Sequence, residues 1–351
     1  MKSEKITEIT ELKRKRYLPG PEIINMYKIT GTLTTVTPLH VGSGIMDKAR
    51  DREFDEENGE NCALIEKDFR GMPCIPGSSL RGVVRSWLET NLMPFNPPGE
   101  YSVAALSVAE FESQKGITSD EIETRKNNLR IEAQTKGLDT ARAEKHVMRG
   151  MTLFYLERLD LVSGLFGFSR FKGKVEVDSA YVKNADVRQD CNIFTMPGVA
   201  IDRGTGTAKE HSLFTYELVA PEVDFSVHLT LRNVRLWEVG MLLAAFENFN
   251  HPVFPLRIGG LTNLGFGQLC WKPDKIYQIG HDESTKAAAK VQEDLIAFFA
   301  SVGSGDWEPL SIVKRGFTGT EDFKTHCFRA LSAVLDSLTD AAKDDGKEGG
   351  Q

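Results

Sequence analysis

An α+β fold of the ferredoxin-like kind is what the sequence predicts. Three observations lead there: strands of alternating pattern, two helices with apolar stripes, and the order β-α-β-β-α-β in which they occur. With 351 residues, 40% hydrophobic and 26% charged, the chain can bury a substantial core.

The first strand is residues 26 to 38, "MYKITGTLTTVTP", rich in Thr, Val, Ile and Tyr and bounded by proline. After a long polar loop comes "RGMPCIPGSSLRGVVRSWLE" (70 to 89), where Pro76-Gly77 ends an extended segment. Leu80, Val83, Val84, Trp87 and Leu88 then recur at helical spacing, which predicts a helix over 78 to 91. Residues 174 to 183 and 212 to 232 read as further strands; Phe225, Val227, Leu229 and Leu231 alternate there with Ser226, His228, Thr230 and Arg232. The second helix covers 235 to 249, with Leu236, Val239, Leu243, Phe246 and Phe249 on one stripe. "FGQLCW" (266 to 271) supplies the last strand.

This core takes residues 26 to 93 and 161 to 275, after a basic N-terminal arm at 1 to 25 that holds "LKRKRY". Residues 94 to 160 form an inserted helical lobe whose weak amphipathicity implies little core of its own, so it is expected to pack on a partner. Residues 276 to 351 are a helical C-terminal extension with a frayed acidic end, "DDGKEGGQ".

No apolar run reaches the roughly 18 residues of a membrane span, and the N-terminus lacks a signal-peptide core, so a cytoplasmic protein with no membrane partner is expected. Five scattered cysteines without CxxC spacing read as reduced thiols. Seven dispersed histidines give neither HExxH nor His-x-His. Net charge is −7, but 13 acidic and 8 basic residues fall in 281 to 351, so that segment carries −5 and the first 280 residues only −2. A basic groove on the near-neutral body is therefore compatible with the composition.

Two stretches carry chemistry. Ser78 or Ser79 is placed to cap the first helix, and Arg81 and Arg85 lie four apart near the positive end of its dipole. That set suits a phosphate, or it is an ordinary capped helix with two solvated arginines. "RIGGLTNLGFGQL" (257 to 269) packs Gly259, Gly260, Gly265 and Gly267 between the second helix and the last strand, with Phe266 to stack a base and Asn263 to bond one. It fits neither GxGxxG nor GxxxxGK[ST], so a tight turn is the other reading.

"TPLHVGSG" (37 to 44), "MPCIPGSSLRGVVRSWL" (72 to 88), "LFGF" (165 to 168), "VAIDRGTGTAKEHSLFTYELV" (199 to 219) and "GGLTNLGFGQL" (259 to 269) come in a characteristic order and spacing. That combination resembles the repeat-associated mysterious protein (RAMP) superfamily, and within it the Cas-seven backbone subunits of type III CRISPR effector complexes, over about 26 to 275 apart from the insertion. The resemblance implies an RNA-recognition-motif-like core that stacks with other RAMP subunits along a guide RNA and meets target RNA. It implies RNA contacts at His40, Ser43, Ser78, Ser79, Arg81, Arg85, Gly259, Gly260, Asn263, Gly265, Phe266 and Gly267. "NIFTMPGVAIDRGTGTAKEHSLF" matches the family's thumb hairpin, with Asp202 and Arg203 at its Asp-Arg pair and Arg203 on the RNA.

Members that cut target RNA carry an aspartate about sixteen residues before the glycine that matches Gly77; here that register is Asn61. The acidic loop "GIMDKARDREFDEENGEN" offers Asp47, Asp51 or Asp55 instead, with Asp47 and Asp51 nearest the "HVGSG" end, and their oxygen ligands would suit Mg2+. The resemblance thus leaves a metal-dependent endoribonuclease or a non-catalytic scaffold subunit with no cofactor. A stand-alone CRISPR RNA processing endoribonuclease using His40 or His211 as general base, or a pure interaction protein, are the readings from other classes.

Overall fold

The computed structural model describes residues 23–48, 61–95, 108–156, 158–168, 171–183, 193–201, 204, 208–280, 287–304 and 310–346. Its strands are β1 (Asn25–Thr35), β2 (Gly42–Lys48), β3 (Asn61–Ile65), β4 (Cys74–Ile75), β5 (Gly167–Phe168), β6 (Phe171–Lys172), β7 (Val175–Val177) and β8 (Ala180–Val182), then β9 (Ile193–Ile201), β10 (Ala208–Val219), β11 (Asp224–Arg232) and β12 (Leu269–Gly280). Its longer helices are α1 (Gly77–Leu92), α2 (Val108–Gln114), α3 (Ser119–Thr135), α4 (Thr140–Leu156), α5 (Leu161–Phe166), α6 (Leu236–Glu247), α7 (Ala287–Ser304) and α8 (Thr320–Gly346).

β1 is the centre of the first sheet. It pairs antiparallel with β11, Tyr27 opposite Leu231 and Leu33 opposite Phe225, and on its other edge with β12, Ile29 opposite Ile276. β7 and β8 share the far edge of β11, and β4 continues from β8. The order β12-β1-β11-β7/β8 sets the motif's fourth, first, third and second strands side by side, as a ferredoxin-like fold requires. The strand predicted at 174 to 183 is thus two short ones.

Two strands differ from expectation for local reasons. The segment 212 to 232 is not confined to one sheet: Pro221 and left-handed Glu222 (φ 64°) turn the chain, and Thr35 fixes the turn by accepting the Val223 N–H and donating to the Ala220 carbonyl. The last strand runs to Gly280 rather than stopping at 271, past the boundary drawn at 275. Its pairing with β1 skips one residue, Lys275 lying opposite Thr30 and Pro273 opposite Gly31, and this bulge lets the strand cross a proline that reads as a stop.

β10 leads away into a second, four-stranded sheet of order β2-β3-β10-β9. β3 and β10 are parallel and in register at Cys62–Thr215 and Ala63–Tyr216, while β9 and β10 form an antiparallel hairpin at the position of the expected thumb.

The main core lies between the first sheet, through Tyr27, Ile29, Leu33, Phe225, Val227 and Leu229, and the inner faces of α1 (Leu80, Val84, Leu88) and α6. α6 is buried on nearly every side because α8 covers it, bringing Phe323 and Cys327 into the same core. The C-terminal extension is therefore partly a core layer. The insertion has a small apolar cluster, Phe111, Ile117, Phe154 and Leu159, which is completed by Phe168 of β5 outside its bounds. Among the described residues no helix is long and apolar enough to cross a membrane.

Candidate nucleic-acid interface

α1 begins at Gly77, one residue before the predicted span and with its N-cap two residues before the first serine. Pro76 holds the N-cap position with no side-chain cap, and the Gly77 N–H donates to Ser179 Oγ at 3.2 Å. Gly77 sits so close to the Val177 carbonyl that a Cβ there would collide with it, and this approach sets the helix start. Neither serine caps the helix: Ser78 and Ser79 fall inside its first turn, the former exposed and the latter half-buried.

The two arginines are not a solvated pair. Arg81 donates from Nη2 to the Phe166 carbonyl and lies over the Phe166 ring at 5.3 Å. Burial, and then the neighbouring charge of Arg85, lowers its pKa from the ordinary guanidinium value. Arg85 donates from Nε to Glu89 at 2.8 Å, with 17% of its side chain exposed. Arg81 thus ties α1 to the Phe166 turn, whereas Arg85 pairs within α1 itself.

The glycine-rich segment is a rigid shelf. Gly259, Gly265 and Gly267 have φ of 90°, 92° and 76°, and a Cβ at Gly259 or Gly267 would meet the carbonyl of His40 or Ile258. The Gly260 N–H donates to the His40 carbonyl at 2.8 Å and the Gly267 N–H to the Pro38 carbonyl at 2.9 Å. Arg257, which the sequence reading passed over, donates to the carbonyls of Gly265 and Phe266 at 2.5 and 3.2 Å. Gly259, Gly260, Asn263 and Gly265 are exposed on this shelf, Phe266 is half-buried, and Gly267 is buried beneath.

His40 holds the shelf to the second sheet. It is 8% exposed, and its Nδ1 lies 2.8 Å from the Glu217 carbonyl, which can only accept, so Nδ1 carries the proton. Nε2 is then left as the ring's acceptor. The Glu217 carboxylate, equally buried, accepts from the Ile65 N–H at 3.0 Å and Lys67 Nζ at 2.5 Å. Ser43 Oγ is occupied within β2 and β3, donating to the Leu64 carbonyl and accepting the Ile45 N–H.

Shelf and helix meet at the far half of α1. Trp87 and Asn91 face Thr262 and Asn263 across a cavity of about 730 Å³ that Asn248, His251, Phe254 and Arg257 help to line. Ser78 is nine residues from Trp87, about 14 Å along the helix axis, so the structure does not gather the serines and the glycine loop around one small ligand.

The family model of the RAMP superfamily matches residues 32–270, a span that contains all five sequence blocks. The chain belongs to the RAMP superfamily. A CRISPR-associated, RNA-binding role follows from that membership. No curated protein matches the sequence.

In this RAMP chain the acidic loop is only partly in view. Along the β2–β3 pairing Asp47 stands opposite Cys62 and Lys48 opposite Asn61, whereas Asp51 and Asp55 lie outside the described residues. So do Asp202 and Arg203, between β9 and β10 in sequence, and the His211 side chain. Among the described residues no three His, Cys, Asp or Glu side chains converge as a metal set would.

Proposed function

We propose that this RAMP protein is a backbone subunit of a type III CRISPR ribonucleoprotein, bound to guide RNA, stacked with other RAMP subunits and presenting the guide to target RNA. The observation that carries the reading is the shelf at 259–265: exposed backbone at Gly259, Gly260 and Gly265, braced from behind by His40 and Arg257. Such a surface admits a sugar-phosphate chain at close range and reads no sequence. Gly259, Gly260, Asn263, Gly265 and Phe266 are its contacts, with Ser78 and Ser79 serving a second phosphate and Arg203 acting from the hairpin. Arg81 orients α1 through the Phe166 carbonyl.

Isolating the native assembly and sequencing its RNA tests the reading; guides of uniform length support it, and an assembly without nucleic acid overturns it. A Ser78→Glu variant adds a control. A carboxylate in the first turn of α1 favours the helix dipole, so the fold is retained, while the charge repels phosphate. RNA retention is expected to fall several-fold at low salt, and unchanged retention would remove the helix from the interface.

Cleavage of target RNA at one site is a second reading, favoured by the β2–β3 register, which seats Asp47 one position from the partner of Asn61. Asp47 and Asp51 would hold Mg2+ through carboxylate oxygens. A target-cleavage ladder with magnesium that loses one band in Asp47→Ala or Asp51→Ala establishes it. Identical ladders leave a scaffold.

A further inference from the structure

We propose that the cavity between α1 and the glycine shelf receives one unpaired nucleobase of a bound RNA; the inference rests on the RNA-binding reading above. At about 730 Å³ the space falls in the ordinary size range of small-molecule sites. Its lining indicates the kind of ligand. No carboxylate faces it, and the guanidinium of Arg257, its one charged group, is already spent on the carbonyls of Gly265 and Phe266. Arg257 keeps its positive charge, and the other lining groups are neutral. A cation would find no opposite charge there, whereas a planar heterocycle with donors and acceptors on its edge is matched by the amides, the hydroxyl and the aromatic faces.

The edge-reading groups are amides and a hydroxyl. Asn91 donates from Nδ2 to the Trp87 carbonyl at 2.8 Å, which orients the amide and leaves Oδ1 as an acceptor. Asn263 and Thr262 are exposed on the opposite wall. The flat surfaces are Trp87, His251 and Phe254. Phe254 is 77% exposed, an unusual state for so large an apolar group, yet it is held in place. Its N–H and that of Val253 both donate to His251 Nδ1, at 2.8 and 3.2 Å, its carbonyl accepts from Asn248 Nδ2, and the His251 and Phe254 rings stack with centroids 6.0 Å apart. Because Nδ1 accepts, the neutral His251 ring carries its proton on Nε2 as a further donor. The prolines at 252 and 255 stiffen the same loop. A fixed exposed aromatic beside oriented amides loses little freedom when a base stacks on it. Thr262 and Asn263 belong both to the shelf and to the cavity wall, so a nucleotide whose phosphate rests on the shelf has its base directed at the cavity.

Titrating the full-length protein with a short oligouridylate, an oligoadenylate and an abasic oligomer of equal length tests the assignment. Base-containing RNA is expected to bind about tenfold more tightly than the abasic chain, in keeping with base-on-aromatic stacking. Phe254→Ala, which removes an exposed ring and leaves the core intact, is expected to abolish that difference while retaining the affinity for the abasic chain and its salt dependence; Asn91→Ala is expected to narrow it. Equal affinity of the unaltered protein for both kinds of RNA, or full discrimination by Phe254→Ala, overturns the cavity assignment and leaves RNA binding by the shelf in place. If none of the three oligomers binds, the function proposed above fails as well.

Discussion

Helices α1 and α6 pack against the same buried sheet, but only α6 is covered a second time. α8 closes over it, its side chains are buried almost all round, and even Glu238 is fully buried, neutralised by Lys174 Nζ at 2.7 and 3.0 Å. α1 keeps an outer face: Ser78 and Asn91 are exposed, and Trp87 walls a cavity. Both helices carry an apolar stripe, so the stripe does not tell which one holds the fold and which one also serves a ligand. The polar groups do. On α6 they are consumed inside the protein; on α1 some are left over.

The largest effect that tests this contrast is Lys174→Met. It strands the Glu238 carboxylate, which also accepts the Arg235 N–H at the helix start, and is expected to cost about 3–5 kcal/mol in urea unfolding. A loss below about 1 kcal/mol would mean that the buried pair is not what anchors α6.

Next comes one substitution made on both helices. A Cβ at Gly240 would stand 2.6 Å from the Cys327 carbonyl oxygen of α8, whereas one at Gly82 on α1 meets nothing within 4 Å. Gly240→Ala is therefore expected to destabilise by about 1–3 kcal/mol. Gly82→Ala is expected to stabilise by about 0.5–1 kcal/mol, the ordinary gain in a helix. Thermal midpoints that move in the same direction would break the comparison.

The smallest effect sharpens it. Arg81→Ala removes the bond to the Phe166 carbonyl and is expected to cost about 1 kcal/mol of stability. Its RNA affinity, measured well below the unfolding midpoint, is expected to change less than that of Ser78→Glu. Undiminished stability with lost RNA binding would instead make Arg81 a direct phosphate contact.

Much of the first sheet was legible because its periodicities are local. β1 and α6 sit within a few residues of the expected spans, and β11 ends where expected, since alternation and helical spacing are properties of the segment itself. The second sheet was not, because β3 and β10 are parallel for only two residue pairs and nothing in either strand names the other. α8 showed its stripe in sequence but not its partner, and Phe323 proved to be core. At the candidate site the glycine shelf was read from composition. The serine caps were misplaced because a tertiary contact of Gly77 chose the helix start; Arg81 was read as free because its acceptor, the Phe166 carbonyl, carries no sequence signal of that role, whereas the i,i+4 spacing of Arg85 and Glu89 was legible and was passed over. Arg257 was missed although it opens the quoted glycine stretch, since only the folded loop turns the Gly265 and Phe266 carbonyls toward it.

The placement of β1 between β11 and β12 governs how the chain can be made. Both neighbours of β1 are encoded some 200 residues or more downstream, as the pairings Thr34–Asp224 and Thr35–Leu269 show. On a ribosome adding roughly 5–20 residues per second, the first strand emerges with two open edges and waits on the order of ten seconds or longer for the first of its partners. Over that interval its Thr- and Ile-rich backbone is the part of the nascent chain most exposed to wrong pairing. The hazard ends only when the segment that begins at Leu269 leaves the exit tunnel, so the shelf at 259–267 can take its final form only after that strand has emerged.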